Sequence, residues 1–142
     1  MKETLVVYYS KAGSVKKMAE DLAVKRDSDI YEIQDLVNRN GIFGFIKSGY
    51  HGLKKTCTPI GSVDIDLTRY KTVVVCGPIW AGNIASPVRT FLTKYADKIA
   101  QIEYVIMRGD KKNEYKEVFA ELDNIAGKNN VGAKSLIDGE LA

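Results

Sequence analysis

The sequence predicts a doubly wound α/β domain in which a five-stranded parallel sheet carries helices on both faces. Two observations predict it. Short, nearly continuous apolar runs alternate along the chain with amphipathic helical segments. No repeat, low-complexity tract or long linker divides residues 1–142, so we expect a single domain. The hydrophobic share of 45% and the charged share of 27% are those of a soluble globular protein.

The first half of the chain predicts two strands, one regular helix and one irregular segment. Residues 5–9 form an apolar run typical of a strand that is covered on both faces. Residues 14–25 carry apolar side chains spaced three and four apart, which predicts an amphipathic helix. Residues 30–33 predict the second strand. In residues 35–55 we expect only short helical turns, because glycines interrupt the segment. These glycines are Gly41, Gly44, Gly49 and Gly52.

The second half of the chain continues the alternation. Residues 72–76 predict a third strand that ends at a Gly-Pro pair, and Pro87 is typical of the first turn of the helix that follows. Residues 103–107 predict the fourth strand, and the helix after it is expected to end at Gly127. Residues 133–137 predict the fifth strand. Alternating strands and helices of these lengths favour parallel pairing with right-handed crossovers.

The turn after the first strand is a candidate phosphate site. Ligands of open α/β sheets bind outside the carboxyl ends of the strands, near the point where the strand order reverses. Residues 10–15 form a turn with Gly and Ser that leads directly into a helix, where free backbone N–H groups and the helix dipole suit a phosphate. The same residues are also typical of an ordinary turn and N-cap.

The segments after the third and fourth strands supply further candidates. Residues 77–87 contain Trp80, the only tryptophan of the chain, among glycines and prolines. An aromatic ring at this edge of the sheet can stack on a planar ligand, or it can fold back as a hydrophobic plug. Residues 108–113 are polar and could complete the rim of a site.

Three segments resemble, in the same order along the chain, segments of the flavodoxin family and its short bacterial members. They are residues 8–19 (YYSKAGSVKKMA), residues 44–50 (GFIKSGY), and residues 77–83 (GPIWAGN) continuing into 87–92 (PVRTFL). The resemblance implies a flavodoxin-like three-layer sandwich with the strand order 2-1-3-4-5, and FMN as the cofactor. The family's activity would make the chain an FMN-binding electron-transfer protein or a small flavin-dependent oxidoreductase.

The resemblance also implies a role for each matching position. The turn after the first strand would hold the 5′-phosphate of FMN, and Trp80 would stack on the isoalloxazine ring. The backbone of residues 79–83 would face the ring edge near N5, and residues 108–110 would approach its pyrimidine side. No residue is assigned a catalytic role, because the flavin performs the redox chemistry. The cofactor-binding candidates are Ser10, Lys11, Ala12, Gly13, Ser14, Val15, Pro78, Ile79, Trp80, Ala81, Gly82, Asn83, Arg108, Gly109 and Asp110.

Two positions of the phosphate turn depart from the family. Ala12 and Val15 stand where its members typically carry threonine, so two hydroxyl donors are missing. A hydrogen bond to a charged group is worth about 1.5–3 kcal/mol, so the two losses predict FMN binding weakened about a hundredfold or more. The alternative is therefore a binding or regulatory module that keeps the fold and has lost FMN. The net charge of +3 and Arg108 favour a bound FMN that is less reducing than in acidic relatives.

Several other functions are disfavoured by the sequence. A zinc site built on two or three histidines is excluded because His51 is the only histidine. A low-molecular-weight phosphatase loop would need an arginine six positions after Cys76, where Gly82 stands. The chain has no P-loop, no nucleophile elbow, no basic block for nucleic acid and no apolar run long enough for a membrane.

The remaining expectations concern location, partners and two tyrosines. Without a signal-peptide pattern, we expect a cytoplasmic protein that exchanges electrons with an unidentified redox partner protein. Tyr50 and Tyr115 are minor candidates for approaching the flavin. Only five residues follow the fifth strand, so we expect a thinly covered apolar patch near Leu136 that favours a homodimer.

Overall fold

A parallel sheet with helices on both faces organises residues 2–141, the part of the chain that the computed structural model describes. The strands are β1 (Thr4–Tyr8), β2 (Asp29–Glu32), β3 (Thr72–Trp80), β4 (Asn83–Ile84), β5 (Gln101–Arg108) and β6 (Gly132–Ile137). The helices are α1 (Ser14–Lys25), α2 (Gly41–Leu53), α3 (Ser86–Tyr95) and α4 (Lys116–Ala126). Two 3₁₀ turns lie at Leu67–Arg69 and Ala96–Lys98.

The five long strands have the predicted order. They run β2-β1-β3-β5-β6, all parallel, so β5 and β6 are the fourth and fifth strands that the sequence predicted. The extra strand β4 has two residues and pairs antiparallel with the end of β3. At the centre of the sheet Val75 is paired with Val7 on one side and Tyr104 on the other.

Alternate residues of the central strands enter two hydrophobic cores. Val6 and Val74 face α1, where Met18 and Leu22 complete one core. Their strand neighbours Leu5, Val7, Val73 and Val75 face the opposite layer, which contains α3 and α4. The continuous apolar runs therefore reflect strands buried on both sides, as expected. Cys76 is fully buried, and burial raises the pKa of its thiol to about 12, which suits a space-filling role.

The third strand is longer than the sequence indicated. The prediction ended it at Cys76 because Gly77 and Pro78 are turn signals, but β3 continues to Trp80. Gly77 and Pro78 stay in the strand because both pair with β5. A side chain at Gly77 would lie 2.5 Å from the Val88 side chain, so the glycine lets α3 approach the sheet. The polypeptide then reverses at Ala81 and Gly82, whose φ angles of 49° and 84° are typical of a type I′ hairpin turn.

The segment expected as broken helical turns is one continuous helix, α2. That prediction was wrong because two of the four glycines, Gly44 and Gly52, allow close packing here. Gly44, Ser48 and Gly52 recur every fourth residue and form the buried side of α2. A Cβ atom at Gly44 would lie 1.9 Å from the backbone of Arg39, and one at Gly52 would lie 2.3 Å from the carbonyl oxygen of Trp80. The helix lies against its neighbours through backbone contact, and its large apolar side chains point outward.

Two further observations complete the fold. Leu136 is 8% exposed and packs in the core beneath α1, so the thinly covered patch expected there is absent. Within residues 2–141 we find no helix that combines the length and the apolar character needed to cross a bilayer.

The close approach of α2 can be tested with two alanine variants of the same helix. Gly49→Ala adds a methyl group with no other atom within 4 Å, so better helix propensity should raise the free energy of unfolding by about 0.5–1 kcal/mol. Gly44→Ala forces the helix away from Arg39 and should lower it by about 1–3 kcal/mol. Urea denaturation measures both values. Equal effects of the two variants would contradict the packing described here.

Candidate functional site

A cavity of about 390 Å³ opens at the carboxyl ends of β1, β3 and β5, a volume typical of small-molecule sites. The chain passes from β1 to β2 in one direction across the sheet and from β3 to β5 in the opposite direction. The cavity lies at the point between β1 and β3 where the strand order reverses in this way. The helix α2 forms one side of it. The lining residues are Ser10, Lys11, Ala12, Ser14, Val15, Phe45, Ser48, Gly49, Pro78, Ile79, Trp80, Ala81, Met107, Arg108, Gly109 and Asp138.

One end of the cavity is the start of α1. Gly13 precedes the helix with a φ of 99°, a conformation that favours glycine, and its N–H donates to Ser10 Oγ at 3.0 Å. This bond closes the turn and leaves the hydroxyl hydrogen of Ser10 available. No side chain caps the helix, so the N–H groups of Ser14 and the next residue have no intrahelical acceptor. Such an end attracts an anion through its N–H groups and its dipole.

Positions 12 and 15, which lack the threonines typical of the resembling family, differ in their surroundings. Ala12 is exposed on the turn and lines the cavity. Val15 is 3% exposed and belongs to the core beneath α1. A hydroxyl group would therefore reach the open end of the cavity most directly from position 12.

Trp80 lines the middle of the cavity with a ring that is largely enclosed. The residue is 9% exposed, and its ring belongs to the core on the α3 side of the sheet. The guanidinium carbon of Arg39 lies 4.6 Å from the ring centroid, a cation–π arrangement. Tyr9 meets the ring edge-on with a centroid distance of 5.7 Å. The ring is thus fixed in place, and it both packs in the core and contributes to the cavity wall.

Arg39 is a buried cation with a buried partner. It is 6% exposed, and its Nε donates to Oδ2 of Asp35 at 2.5 Å. The same carboxylate oxygen accepts the hydroxyl of Tyr9 at 3.1 Å. Burial and the charge of Asp35 raise the pKa of Tyr9, so the phenol keeps its proton and donates it. The charge pair therefore joins the segment before α2 to the end of β1.

The remaining donors of Arg39 bind α2 and the segment after it. Nη1 donates to Ser48 Oγ at 3.3 Å and to Nδ1 of His51 at 3.0 Å, and Nη2 donates to Thr58 Oγ1 at 3.3 Å. Because a guanidinium only donates, Nδ1 of His51 must accept and carries no proton. Burial lowers the pKa of His51, and the positive charge of Arg39 lowers it further.

Arg108 lies at the far end of the cavity from the α1 start. It is 5% exposed, its Nε donates to Ser135 Oγ at 2.8 Å, and its Nη1 donates to the carbonyl oxygen of Asp110 at 2.5 Å. Within residues 2–141 its Nη2 has no acceptor. A buried cation with an unused donor at a cavity is suited to an electron-rich edge of a ligand.

No protein-family model matches the sequence, and no curated protein matches it significantly. Among solved structures, a flavoprotein in complex with FMN from Lactobacillus acidophilus superposes with a TM-score of 0.79 at 22% identity, covering 97% of this chain and 94% of that one. A Bacteroides uniformis protein gives 0.81 at 20% identity, covering 97% and 92%. A flavodoxin from an archaeon gives 0.57 at 16% identity, covering 94% and 82%.

This chain has a flavodoxin-like fold. The shared architecture confirms the resemblance that the sequence motifs indicated.

Most of the predicted site residues line the cavity of this flavodoxin-like structure, and four do not. Gly13 shapes the turn before α1, and Gly82 lies at the tip of the β3–β4 hairpin. The Asn83 amide donates to the carbonyl oxygen of Gly52 at 2.9 Å and so holds α2. The Asp110 carboxylate accepts the N–H groups of residues 112 and 113, which lowers its pKa and stabilises the turn.

The flavodoxin-like cavity also contains residues that the sequence analysis missed. They are Phe45, Ser48 and Gly49 of α2, Met107 of β5, and Asp138 after β6. The signal for α2 was the recurrence of small residues every fourth position, which predicts a helix with one close-packed side. Neither Tyr50 nor Tyr115 lines the cavity.

The Arg39 network should contribute strongly to stability. Arg39→Met leaves the buried Asp35 without its cation and should lower the free energy of unfolding by about 3–5 kcal/mol. Arg26→Met removes a surface pair with Glu103 and should cost about 0–1 kcal/mol. The double variant Asp35→Asn/Arg39→Met should recover part of the loss. Chemical denaturation measures all of these, and equal losses for Arg39→Met and Arg26→Met would refute the role assigned to the network.

His51 should make stability depend on pH. Its pKa is lowered in the folded state, so below the usual value near 6.5 the unfolded chain binds the proton more readily than the folded chain. The free energy of unfolding should therefore fall as the pH falls from about 7.5 to 5.5. His51→Gln keeps an acceptor for Arg39 and should lose less over the same interval. No other histidine contributes, so parallel curves for the two proteins would contradict this assignment.

Proposed function

We propose that the cavity binds FMN and that the chain is an FMN-dependent electron-transfer protein or small flavin reductase. The observation that carries the proposal is the arrangement of one cavity. An uncapped helix start lies at one end, Trp80 in the middle, and the buried guanidinium of Arg108, whose Nη2 has no acceptor within residues 2–141, at the other. The L. acidophilus flavoprotein of the same fold, crystallised with FMN, supports the proposal.

The phosphate end fits the cofactor. The start of α1 would bind the FMN phosphate with the N–H groups of its first turn and the hydroxyls of Ser10 and Ser14. Lys11, exposed on the cavity rim, adds a positive charge that solvent partly screens. A dianionic phosphate is the group that such an uncapped helix start stabilises best.

The ring end also fits the cofactor. Ile79, Trp80 and Met107 supply apolar and aromatic walls for a planar ring system, and Phe45 of α2 forms part of the opening. Arg108 would donate through its unused Nη2 to the oxygen-rich, pyrimidine side of the ring. Its positive charge lies in a largely buried position, where it would favour the cofactor's more negatively charged, reduced state. Asp138 lies at the same end and moderates that effect.

The flavin and the protein would contribute different parts of the function. The flavin supplies the electron-accepting chemistry when it is bound. The chain binds the phosphate, fixes the indole of Trp80 through Arg39 and Tyr9, and excludes water from one side of the ring site. A rigid wall of this kind keeps the binding geometry constant while charge at the site changes.

A second candidate function rests on position 12. Ala12 is exposed at the phosphate end and offers no hydroxyl, so the chain lacks one donor that the resemblance implies. If that loss is decisive, the protein is a flavodoxin-like binding or regulatory module that works without FMN.

FMN titration separates the two functions. We expect the purified protein to show the visible absorption of oxidised flavin, or the apoprotein to quench FMN fluorescence saturably. Ala12→Thr should tighten FMN binding about tenfold or more, since it restores a hydrogen bond to a charged group. Ala133→Thr, an exposed site on β6 outside the cavity, should leave the affinity unchanged. A colourless protein that leaves micromolar FMN fluorescence unchanged would favour the FMN-free module.

A further inference from the structure

The outward side of α2 is a continuous apolar surface, which we call the α2 apolar face. It consists of six side chains whose exposed fractions range from 58% to 82%, namely Ile42, Phe43, Phe45, Ile46, Tyr50 and Leu53. At about 100° per residue they occupy a single arc of roughly 160° around the helix. The buried small residues lie on the other side. The arrangement is the reverse of an ordinary amphipathic helix, because the small residues face the protein and the largest apolar side chains face solvent.

The area of this face exceeds what a monomer usually exposes. The six side chains together expose roughly 800 Å², taking about 200 Å² for each large side chain when fully exposed. The largest apolar patch on a typical monomer is about 300–600 Å². A standard protein–protein interface removes about 800 Å² from each partner. The face alone therefore provides the area that one side of a stable interface needs.

The charge pattern favours a partner with the same surface. Lys47 is the only Lys, Arg, Asp or Glu among the 13 residues of α2, and its Nζ is 3.4 Å from the carbonyl oxygen of Asn38. A nearly uncharged face offers little to attract an oppositely charged protein. Two copies related by a two-fold axis bury it against itself without opposing charges. Helices that lie on membranes carry a basic polar side, whereas the other side of α2 packs on Arg39 and Trp80.

We propose that the α2 apolar face binds a second copy of this chain, forming a two-fold symmetric homodimer. This inference goes beyond the proposed FMN function and does not depend on it. Phe45 is 72% exposed and also lines the cavity, so the dimer interface would border the opening of each cavity. The second copy would shield this edge of the site from water.

Sedimentation velocity of the full chain over a range of concentrations tests the proposal. We expect wild type to reach twice the chain mass of 15.8 kDa as the concentration rises. Phe43→Lys places a charge in the face and should raise the dimer dissociation constant at least about tenfold. Phe43 does not line the cavity, and the mass measured by sedimentation tests the dimer without reference to FMN binding. The matched control Val24→Lys changes a side chain of α1 that is also 82% exposed and should leave the dimer intact.

Two outcomes would overturn the proposal. Wild type could remain a monomer at every concentration, or the Phe43 and Val24 variants could weaken association equally. A monomeric wild type could also co-sediment with phosphatidylcholine vesicles and lose this with Phe43→Lys, which would assign the face to a membrane. Circular dichroism melting checks that each variant is folded. If Phe43→Lys fails to fold, Ile46→Lys, at a position 60% exposed, replaces it with the same expected result.

Discussion

The requirement to satisfy one buried guanidinium organises the ligand edge of this protein. Arg39 is almost completely enclosed, and an unpaired cation there would cost several kcal/mol, so its donors need acceptors on every side. Asp35, Ser48, His51 and Thr58 provide them from three separate stretches of chain. The face of the same group lies over the ring of Trp80. Arg39 thus joins the segment after β2, the helix α2 and the end of β3 into a single wall, and Asp35 extends the network to Tyr9 at the end of β1.

The need of Arg39 for acceptors on α2 determines the position of this helix, and it leaves large apolar side chains exposed. Its small residues face inward because the backbone must approach Arg39 and Trp80 closely, and only glycine fits at two of these contacts. The large side chains are then left on the outer side of the helix. The inward position of the small residues therefore has two consequences. It lets α2 complete the cavity wall, and it leaves an apolar face exposed to solvent. A second copy of the chain would cover this exposed apolar face.

Sequence patterns predicted the parts of the fold that depend on local periodicity. The residues of α1 repeat three and four apart, and the predicted bounds of 14–25 agree with the structure. The end of β3 was missed because pairing with β5 outweighs the turn preference of Gly77 and Pro78. α2 was missed because glycine lowers helix propensity, while the tertiary contact that requires it is invisible in sequence.

The Arg39 network was missed because its partners are separated along the chain and follow no period. Motif resemblance indicated the turn before α1, Trp80 and Arg108. It included the segment of Phe45 without giving that residue a role, and it did not include Asp138.

The proposed FMN function requires that the cavity combine a phosphate site at the start of α1 with a ring site beside Trp80. The direct measurement is the affinity of the apoprotein for FMN compared with riboflavin, which has the same ring system and no phosphate. We expect saturable binding of both, with FMN tighter by about tenfold or more, because the helix start would hydrogen-bond a charged group. Equal affinities, or no binding of either compound, would contradict it.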